Sequence, residues 1–412
     1  MGVIELNSFA EGRFHAPTDR PVDIASAVTG DVIARASSQG LDFRSMASYA
    51  RDVGGPALRR LTFHDRALML KALAQYLNER KEALYALSLQ TGATRPDSMI
   101  DIDGGIGTLF VMSSKGRREM PNADLYVDGG PEVLARDGGF VGQHVYTARQ
   151  GVAIHINAFN FPVWGMLEKL APALIAGMPV IVKPATATAY LAEAAFRMMI
   201  ESELLPAGSV QLIVGSTGDL LDHVTCQDVV SFTGSAETAE KLQVRPAIIA
   251  NATRFIAERD SLNASILGPD ADTASPEFDL FVREVAKEMT VKAGQKCTAI
   301  RRAIVPRDRL PAVADALAAR LGSLQVGDPA LESTRMGALA GQDQRRDVYD
   351  KVAHLEKECE RLFGDPDAFD VVGADAKAGA FVPPMLFHCA DPHRAVDVHA
   401  IEPFGPVSTL MP

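Results

Sequence analysis

From residue 151 the apolar positions follow a repeating order. A short unbroken apolar run comes first, then a longer stretch with apolar residues at helical spacing. Val152-Ala153-Ile154-His155-Ile156 precedes an amphipathic stretch from Val163 to Ala176, and Val180-Ile181-Val182 precedes an alanine-rich helix over 187–203. Val210-Gln211-Leu212-Ile213-Val214 precedes a short helix, and Val229-Val230-Ser231-Phe232 precedes another that starts near Ser235. Short apolar runs bounded by turn residues suit fully buried strands, and strands alternating with helices predict βαβ units and a parallel sheet, open or doubly wound. Ligands of such sheets sit at the carboxyl ends of the strands. A second α/β pattern follows Glu258. Ala264-Ser265-Ile266-Leu267 and Arg302-Ala303-Ile304-Val305 read as strands, Phe281, Val285 and Met289 mark a helical face, and 309–322 reads as helix. A domain boundary is placed near 258–262.

The first 150 residues are less periodic. A strand signal lies at Val32-Ile33-Ala34. Leu70, Leu73, Leu77 and Leu84 recur at helical spacing through 64–91, with Gly92 as the stop. Asp101-Ile102-Asp103-Gly104-Gly105-Ile106-Gly107 lacks a preceding strand, so it reads as a loop or a tight helix contact rather than a phosphate cradle. Gly129-Gly130 and Gly138-Gly139 separate short β-prone pieces such as Gln143-His144-Val145-Tyr146, which predicts a hairpin or arm outside the main fold.

Composition narrows the class. The chain has 412 residues, 47% hydrophobic and 23% charged, enough for two or three globular cores. A net charge of −11 disfavours nucleic acid or an anionic membrane as the main partner. Cys226, Cys297, Cys359 and Cys389 lie far apart without a CxxC pair, which argues against zinc and a disulfide framework and suits a reducing cytoplasm. The start, Met1-Gly2-Val3-Ile4-Glu5, shows no secretory signal, and no apolar stretch is long enough to span a membrane.

Several stretches carry candidate chemistry, each with a plainer alternative. Gly294-Gln295-Lys296-Cys297-Thr298 sets a cysteine beside a lysine. A thiol of ordinary pKa, about 8.5, is only slightly ionised at neutral pH, and a nearby cation, backbone N–H groups or a base raises that fraction. The alternative is a buried structural cysteine. Lys183-Pro184-Ala185-Thr186 follows an apolar strand, where a lysine binds ribose hydroxyls or a phosphate, or simply ends the strand in solvent. Ser231-Phe232-Thr233-Gly234-Ser235 ends a strand and opens a helix whose N–H groups suit a pyrophosphate, or is an ordinary turn with an N-cap serine; it is not GxGxxG. Asn157-Ala158-Phe159-Asn160-Phe161-Pro162 offers an amide to an oxyanion, or an Asx turn before Pro162. Glu258 is a general base, or a surface acid paired with Arg259. Glu402-Pro403-Phe404-Gly405-Pro406 offers an acid to a ribose and an aromatic to a nicotinamide, or is a Pro/Gly-rich turn.

Taken in chain order, Asn160-Phe161-Pro162, Lys183-Pro184, Phe232-Thr233-Gly234-Ser235, Glu258, Gly294-Gln295-Lys296-Cys297-Thr298 and Glu402-Pro403-Phe404-Gly405-Pro406 resemble the motifs of the aldehyde dehydrogenase superfamily over residues 20–412. The resemblance implies an α/β aldehyde dehydrogenase-like fold. Its Rossmann-like cofactor domain would cover 1–120 and 147–258, a β oligomerisation arm 121–146, and an α/β catalytic domain 259–412. It implies Cys297 as nucleophile, Asn160 and the Cys297 N–H as oxyanion donors, Glu258 as base for water, and Lys169 as a proton-relay residue or else a solvated helix lysine. For the dinucleotide it implies Ile156, Asn157, Lys183, Pro184, Ala185, Thr186, Gly215, Phe232, Thr233, Gly234, Ser235, Glu402 and Phe404. Phrases such as Gln90-Thr91-Gly92-Ala93-Thr94-Arg95 and Lys292-Ala293-Gly294-Gln295-Lys296-Cys297-Thr298-Ala299-Ile300-Arg301-Arg302 are similar to the members that oxidise CoA-linked semialdehydes in aromatic degradation, the phenylacetate branch first and the benzoate branch as the near alternative.

Two departures from the family pattern carry expectations. Thr186 stands where NAD-preferring members hold a glutamate, so NADP is expected at least as readily as NAD. Ala239 replaces a family glycine, a small change. The chain ends at Val407-Ser408-Thr409-Leu410-Met411-Pro412, whereas the family fold continues, so a C-terminal truncation is expected, without a following hydratase domain. A homo-oligomer is expected of the longer form. Rival readings are a CoA-acylating dehydrogenase, which does not need Glu258, a cysteine hydrolase without a redox step, and a catalytically silent fragment.

Overall fold

The computed structural model describes residues 2–412. The chain divides into two compact units: Met1–Ile24, Ala34–Leu84 and Ile100–Arg259 form the first, and Ala25–Ile33, Tyr85–Met99 and Asp260–Pro412 the second.

The first unit is built on a seven-stranded sheet. Its spatial order is Arg254–Glu258, Val229–Thr233, Ala153–Ile156, Val180–Lys183, Val210–Leu212, Ser8–Ala10, Arg13–His15. The first five strands run parallel and the last two are antiparallel. The expected alternation therefore holds, with the Trp164–Ile175 and Ala189–Glu201 helices between strands. The strand predicted over 210–214 ends at Leu212, and the helix predicted after it is only a 3-10 turn, Leu220–His223. Chain order climbs outward from Ala153–Ile156 through Val180–Lys183 to Val210–Leu212, then returns to the other side of Ala153–Ile156 with Val229–Thr233. That reversal makes a topological switch point, where adjacent connections leave in opposite directions and open a crevice at the strands' carboxyl ends.

The predicted 64–91 helix is two helices. Phe63–Asn78 carries a capping box between Thr62 and Asp65, and Lys81–Ser88 follows after a break at Glu79-Arg80. Leu70, Leu73, Leu77 and Leu84 are all buried, each burial contributing roughly 1.5–3 kcal/mol. Gly92 ends the run in the left-handed region, φ 80°. The glycine-rich 101–107 segment lies inside a 25-residue helix, Arg95–Glu119, so the tight-contact reading stands and the loop reading falls. A Cβ on Gly104 would lie 2.4 Å from the Trp164 ring, so that position admits nothing larger than glycine. Asp101 of the same helix accepts N–H bonds from Val163 (3.2 Å) and Trp164 (2.8 Å), capping Trp164–Ile175 from outside its own segment. The predicted arm is an antiparallel hairpin of Leu125–Val133 and Val141–Thr147.

The second unit holds a five-stranded sheet in the order Asn263–Ile266, Ile300–Ile304, Val407–Met411, Met385–His388, Glu360–Phe363. Only the last strand is antiparallel to its neighbour. One apolar cluster joins this sheet to Pro276–Thr290 and Leu310–Gly322 through Phe281, Val285, Met289 and Leu317. No helix among the described residues is long and apolar enough to cross a membrane.

Candidate active site

In the first unit, the predicted polar residues gather at the switch point. Asn157 follows the Ala153–Ile156 strand, and its N–H donates to the Lys183 carbonyl (3.0 Å), which ties two neighbouring strand ends together. Lys169, on the Trp164–Ile175 helix, donates to Asn157 Oδ1 (3.0 Å) and Thr233 Oγ1 (2.5 Å). Thr233 is in register with Glu258 on the adjacent strand, and the Gly234 N–H donates to the Glu258 carbonyl (3.1 Å). Lys169 thus bridges the two strands that flank the reversal and sits in the field of Glu258. Burial lowers its pKa to about 8, and Glu168 and Glu258 only partly offset this. Glu168 is held above the usual carboxylate range, first by burial and also by repulsion from Glu258. His155, buried beneath, stays neutral: burial and the Lys169 charge push its pKa down to about 3.

The Glu258 side chain is exposed at its strand end. That exposure agrees with the surface-acid half of the alternative, but Arg259 pairs with Glu240 (3.8 Å) instead of Glu258. Asn160 is half-buried in the bend between Ile156 and Trp164, and the Thr188 hydroxyl fixes that bend by donating to the Phe159 carbonyl (2.9 Å).

Among the described residues the ammonium of Lys183 has no ion-pair or hydrogen-bond partner, and burial alone lowers its pKa. A desolvated lysine at a strand end is costly unless something supplies acceptors. Pro184 and the extended Ala185 lead into a 3-10 turn, Thr186–Thr188, with Thr186 half-buried. Gly215 has φ 128°, and a Cβ there would meet Ser38 N at 2.6 Å. Ser235 caps the Ala236–Gln243 helix, its hydroxyl accepting from Thr238 N (3.3 Å), so the N-cap reading of that serine holds. Phe232 and Ile156 are packed in the apolar cluster. Two donors at the strand ends suit a ligand rich in phosphate and ribose oxygens: the Lys183 ammonium and the buried Asn157 Nδ2, which has no partner among the described residues.

In the second unit, the cysteine is displayed by a strained turn. Lys292, Ala293 and Gly294 have φ of 56°, 50° and 69°. The two non-glycine residues cost about 1–2 kcal/mol each in that conformation, so neighbours must impose it. Asp97 accepts from Lys292 N (2.9 Å). Gln295 bridges by donating to the Lys292 carbonyl (3.1 Å) and accepting from Ala340 N (3.0 Å). The buried Arg301 guanidinium donates to the carbonyls of Gly294 (2.8 Å) and Gly405 (2.6 Å) and to Glu402 Oε1 (3.2 Å). Ser261 Oγ (3.0 Å) and Asn263 Nδ2 (2.6 Å) hold the Cys297 carbonyl. Residues 292–296 are buried, whereas Cys297 and Thr298 are exposed. The turn presents an exposed thiol, which removes the buried structural-cysteine alternative.

Two motif residues have roles that their neighbours in sequence did not reveal. Lys296 lies 2.7 Å from Glu288, so its charge is already balanced. Glu402 is buried, with Oε1 on Arg301 and Oε2 accepting from Ser261 N (2.9 Å), and Phe404 lies against the Arg301 guanidinium. Asp97, Gln295 and Arg301 escaped the sequence reading as site residues, and their partners lie up to 195 positions away. Among the described residues, no group of three or more His, Cys, Asp or Glu side chains is placed to hold a metal.

The aldehyde dehydrogenase family matches residues 14–412, and the chain belongs to that family. It is 43% identical over 411 residues to a 3,4-dehydroadipyl-CoA semialdehyde dehydrogenase of Aromatoleum evansii, covering 99% of this chain and 79% of the relative. It is 28% identical over 397 residues to a 1-pyrroline-5-carboxylate dehydrogenase of Geobacillus kaustophilus (strain HTA426), covering 94% and 72%. The fold matches that of a Staphylococcus aureus betaine aldehyde dehydrogenase solved with NAD+, with a TM-score of 0.85, 22% identity and coverage of 99% and 78%. It also matches a Pseudomonas syringae aldehyde dehydrogenase C mutant solved with NAD+ and octanal, with a TM-score of 0.83, 23% identity and coverage of 99% and 79%. The chain is thus an oxidoreductase of the aldehyde dehydrogenase fold.

Proposed function

We propose that this chain oxidises a CoA-linked semialdehyde from aromatic ring cleavage to the carboxylate, with NADP at least as good an acceptor as NAD. The observation that carries the reading is the exposed Cys297 thiol on its buried, braced turn. Cys297 as thiolate attacks the aldehyde carbon, and the Asn160 amide with the Cys297 N–H stabilises the oxyanion that forms. A bound dinucleotide would supply the acceptor for the hydride that leaves the hemithioacetal carbon. The acyl group is left as a thioester on Sγ. Glu258 removes a proton from water, the hydroxide adds to the thioester, and the C–S bond breaks to release carboxylate and return the thiolate. Lys169 moves protons beside Glu258. Lys183, Asn157, Thr186, Gly215 and the Thr233-Gly234-Ser235 turn hold the dinucleotide. In the same reading, residues 1–120 and 147–258 form the cofactor domain and 259–412 the catalytic domain.

The Aromatoleum evansii relative supports the benzoate-branch semialdehyde ahead of the phenylacetate-branch one that the sequence phrases placed first. The hairpin exposes Leu125, Val127, Val133, Phe140, Val141 and Val145, which suits an arm for self-association, since an isolated two-stranded ribbon is marginal in water. The test is absorbance at 340 nm with NADP and NAD against 3,4-dehydroadipyl-CoA semialdehyde, the phenylacetate-derived CoA semialdehyde and free aldehydes. The reading expects the first substrate to be preferred and Cys297→Ala to be inactive. Undiminished turnover by Cys297→Ala would sink it.

A further inference from the structure

Asn157 is buried at the switch point, and its side chain is divided between two duties. An ammonium donates and never accepts, so Lys169 fixes the amide with Oδ1 towards Nζ at 3.0 Å. That leaves Nδ2 buried without a partner among the described residues, and two residues earlier, within the strand, His155 Nδ1 is also buried without one. Such groups are costly to bury, so the arrangement calls for an explanation. We propose that Asn157 is the positioning residue that holds Lys169 charged at the strand ends, and so sets how readily that ammonium surrenders its proton to the chemistry at Glu258. The last step rests on the proposed roles of Lys169 and Glu258; the hold of Asn157 on the lysine does not.

Lys169 is faced by few charges. Glu168 lies on its own helix, Glu258 on the Arg254–Glu258 strand, and neutral His155 on the Ala153–Ile156 strand. On the helices packed nearby, Arg66 donates to the Ile175 carbonyl (2.8 Å) and Asp101 caps Val163 and Trp164, so both serve the helix ends. The two contacts that act on Nζ directly are Thr233 Oγ1 and Asn157 Oδ1. A hydrogen bond to a charged group favours that charge, so the carbonyl oxygen of Asn157 opposes the desolvation that drives the proton off.

The test measures Lys169 itself. The full chain, Asn157→Leu and Asn157→Asp are pulse-labelled with limiting acetic anhydride across pH 6–11, and Lys169 acetylation is read by mass spectrometry. Turnover pH profiles are recorded in parallel. Removing the oxygen should move the Lys169 titration down by about one to two pH units, the worth of one hydrogen bond to a charge, and the aspartate should move it up. Labelling curves that coincide in all three chains overturn the proposal. If the leucine chain fails to melt cooperatively, the aspartate chain decides: an unmoved or downward titration refutes the hold. The labelling needs no turnover. A Lys169 titration that moves while the turnover profile stays fixed therefore confirms the hold and removes the relay role of Lys169.

Discussion

Replacing Arg301 with methionine tests the bracing of the cysteine turn. The guanidinium is 2% exposed and Glu402 4%, and the one side chain serves Glu402 and the carbonyls of Gly294 and Gly405. Methionine fills much of the volume but takes the donor from a buried carboxylate and from the carbonyls of Gly294, Gly405 and Lys296. Removing one member of a buried ion pair costs about 3–5 kcal/mol, and the carbonyls add to this less than additively. Total stabilities run about 5–15 kcal/mol, so the loss is a large part of the whole. Urea unfolding followed by far-UV circular dichroism should show the midpoint drop, and Cys297 should react with a disulfide reagent at a changed rate because Gly294 has lost its anchor. The deficit should also depend on pH. Burial already holds Glu402 above the usual carboxylate range and Arg301 opposes that rise. Without Arg301 the carboxyl binds its proton more tightly when folded than when unfolded. The penalty is then full above the folded pKa and fades as pH falls towards the unfolded value near 4.5. Arg301→Met with a midpoint and thiol reactivity equal to the parent at both pH 5 and pH 8 would refute the bracing argument.

Other outcomes follow from the same geometry. Gly294→Ala should destabilise the chain by several kcal/mol or prevent its accumulation, because φ is 69° and the new Cβ would lie 2.2 Å from the Gly405 carbonyl oxygen; expression and thermal melting check it. Thr186→Glu should turn the ratio of kcat/KM towards NAD by tenfold or more, since a carboxylate repels a 2′-phosphate; a parent chain that already prefers NAD tenfold would end the NADP expectation. Lys169 binds its proton less tightly folded, about 8, than its ordinary 10.5. The charged form therefore costs stability in full below about pH 8, and the parent should gain stability relative to Lys169→Met as pH rises from 8 towards 10.5. Chemical denaturation of both chains at the two pH limits measures that difference, and a gap that does not change contradicts it.

What the residues disclosed and what they concealed divide along physical lines. Strands buried on both faces, such as Val180–Lys183, announce themselves as apolar runs because burial on both sides permits nothing else. Motif residues at the strand ends were legible because a turn must follow a strand, and Asn157, Thr233 and Glu258 fall just there. Breaks set by local competition were harder. Glu79-Arg80 interrupts a helical pattern without glycine or proline, and Gly104-Gly105 sits within a helix because Trp164 needs the space. The bracing of the cysteine turn was illegible. Arg301 looks like one of two adjacent strand arginines, and only the register of Ile300–Ile304 sends it inward to Glu402 while Arg302 turns to the Leu262 carbonyl. Positive φ at Lys292 and Ala293 carries no signal in their side chains, since it is held by Asp97 from 195 positions away and by Gln295 within the turn.

The most direct test of the central claim is a single-turnover experiment on Glu258→Gln with 3,4-dehydroadipyl-CoA semialdehyde and NADP. The account predicts a burst of one equivalent of reduced dinucleotide per chain, no sustained turnover, and an acyl mass increment on the peptide that carries Cys297. Sustained turnover at the parent rate, or a burst with an unmodified Cys297 peptide, would contradict it.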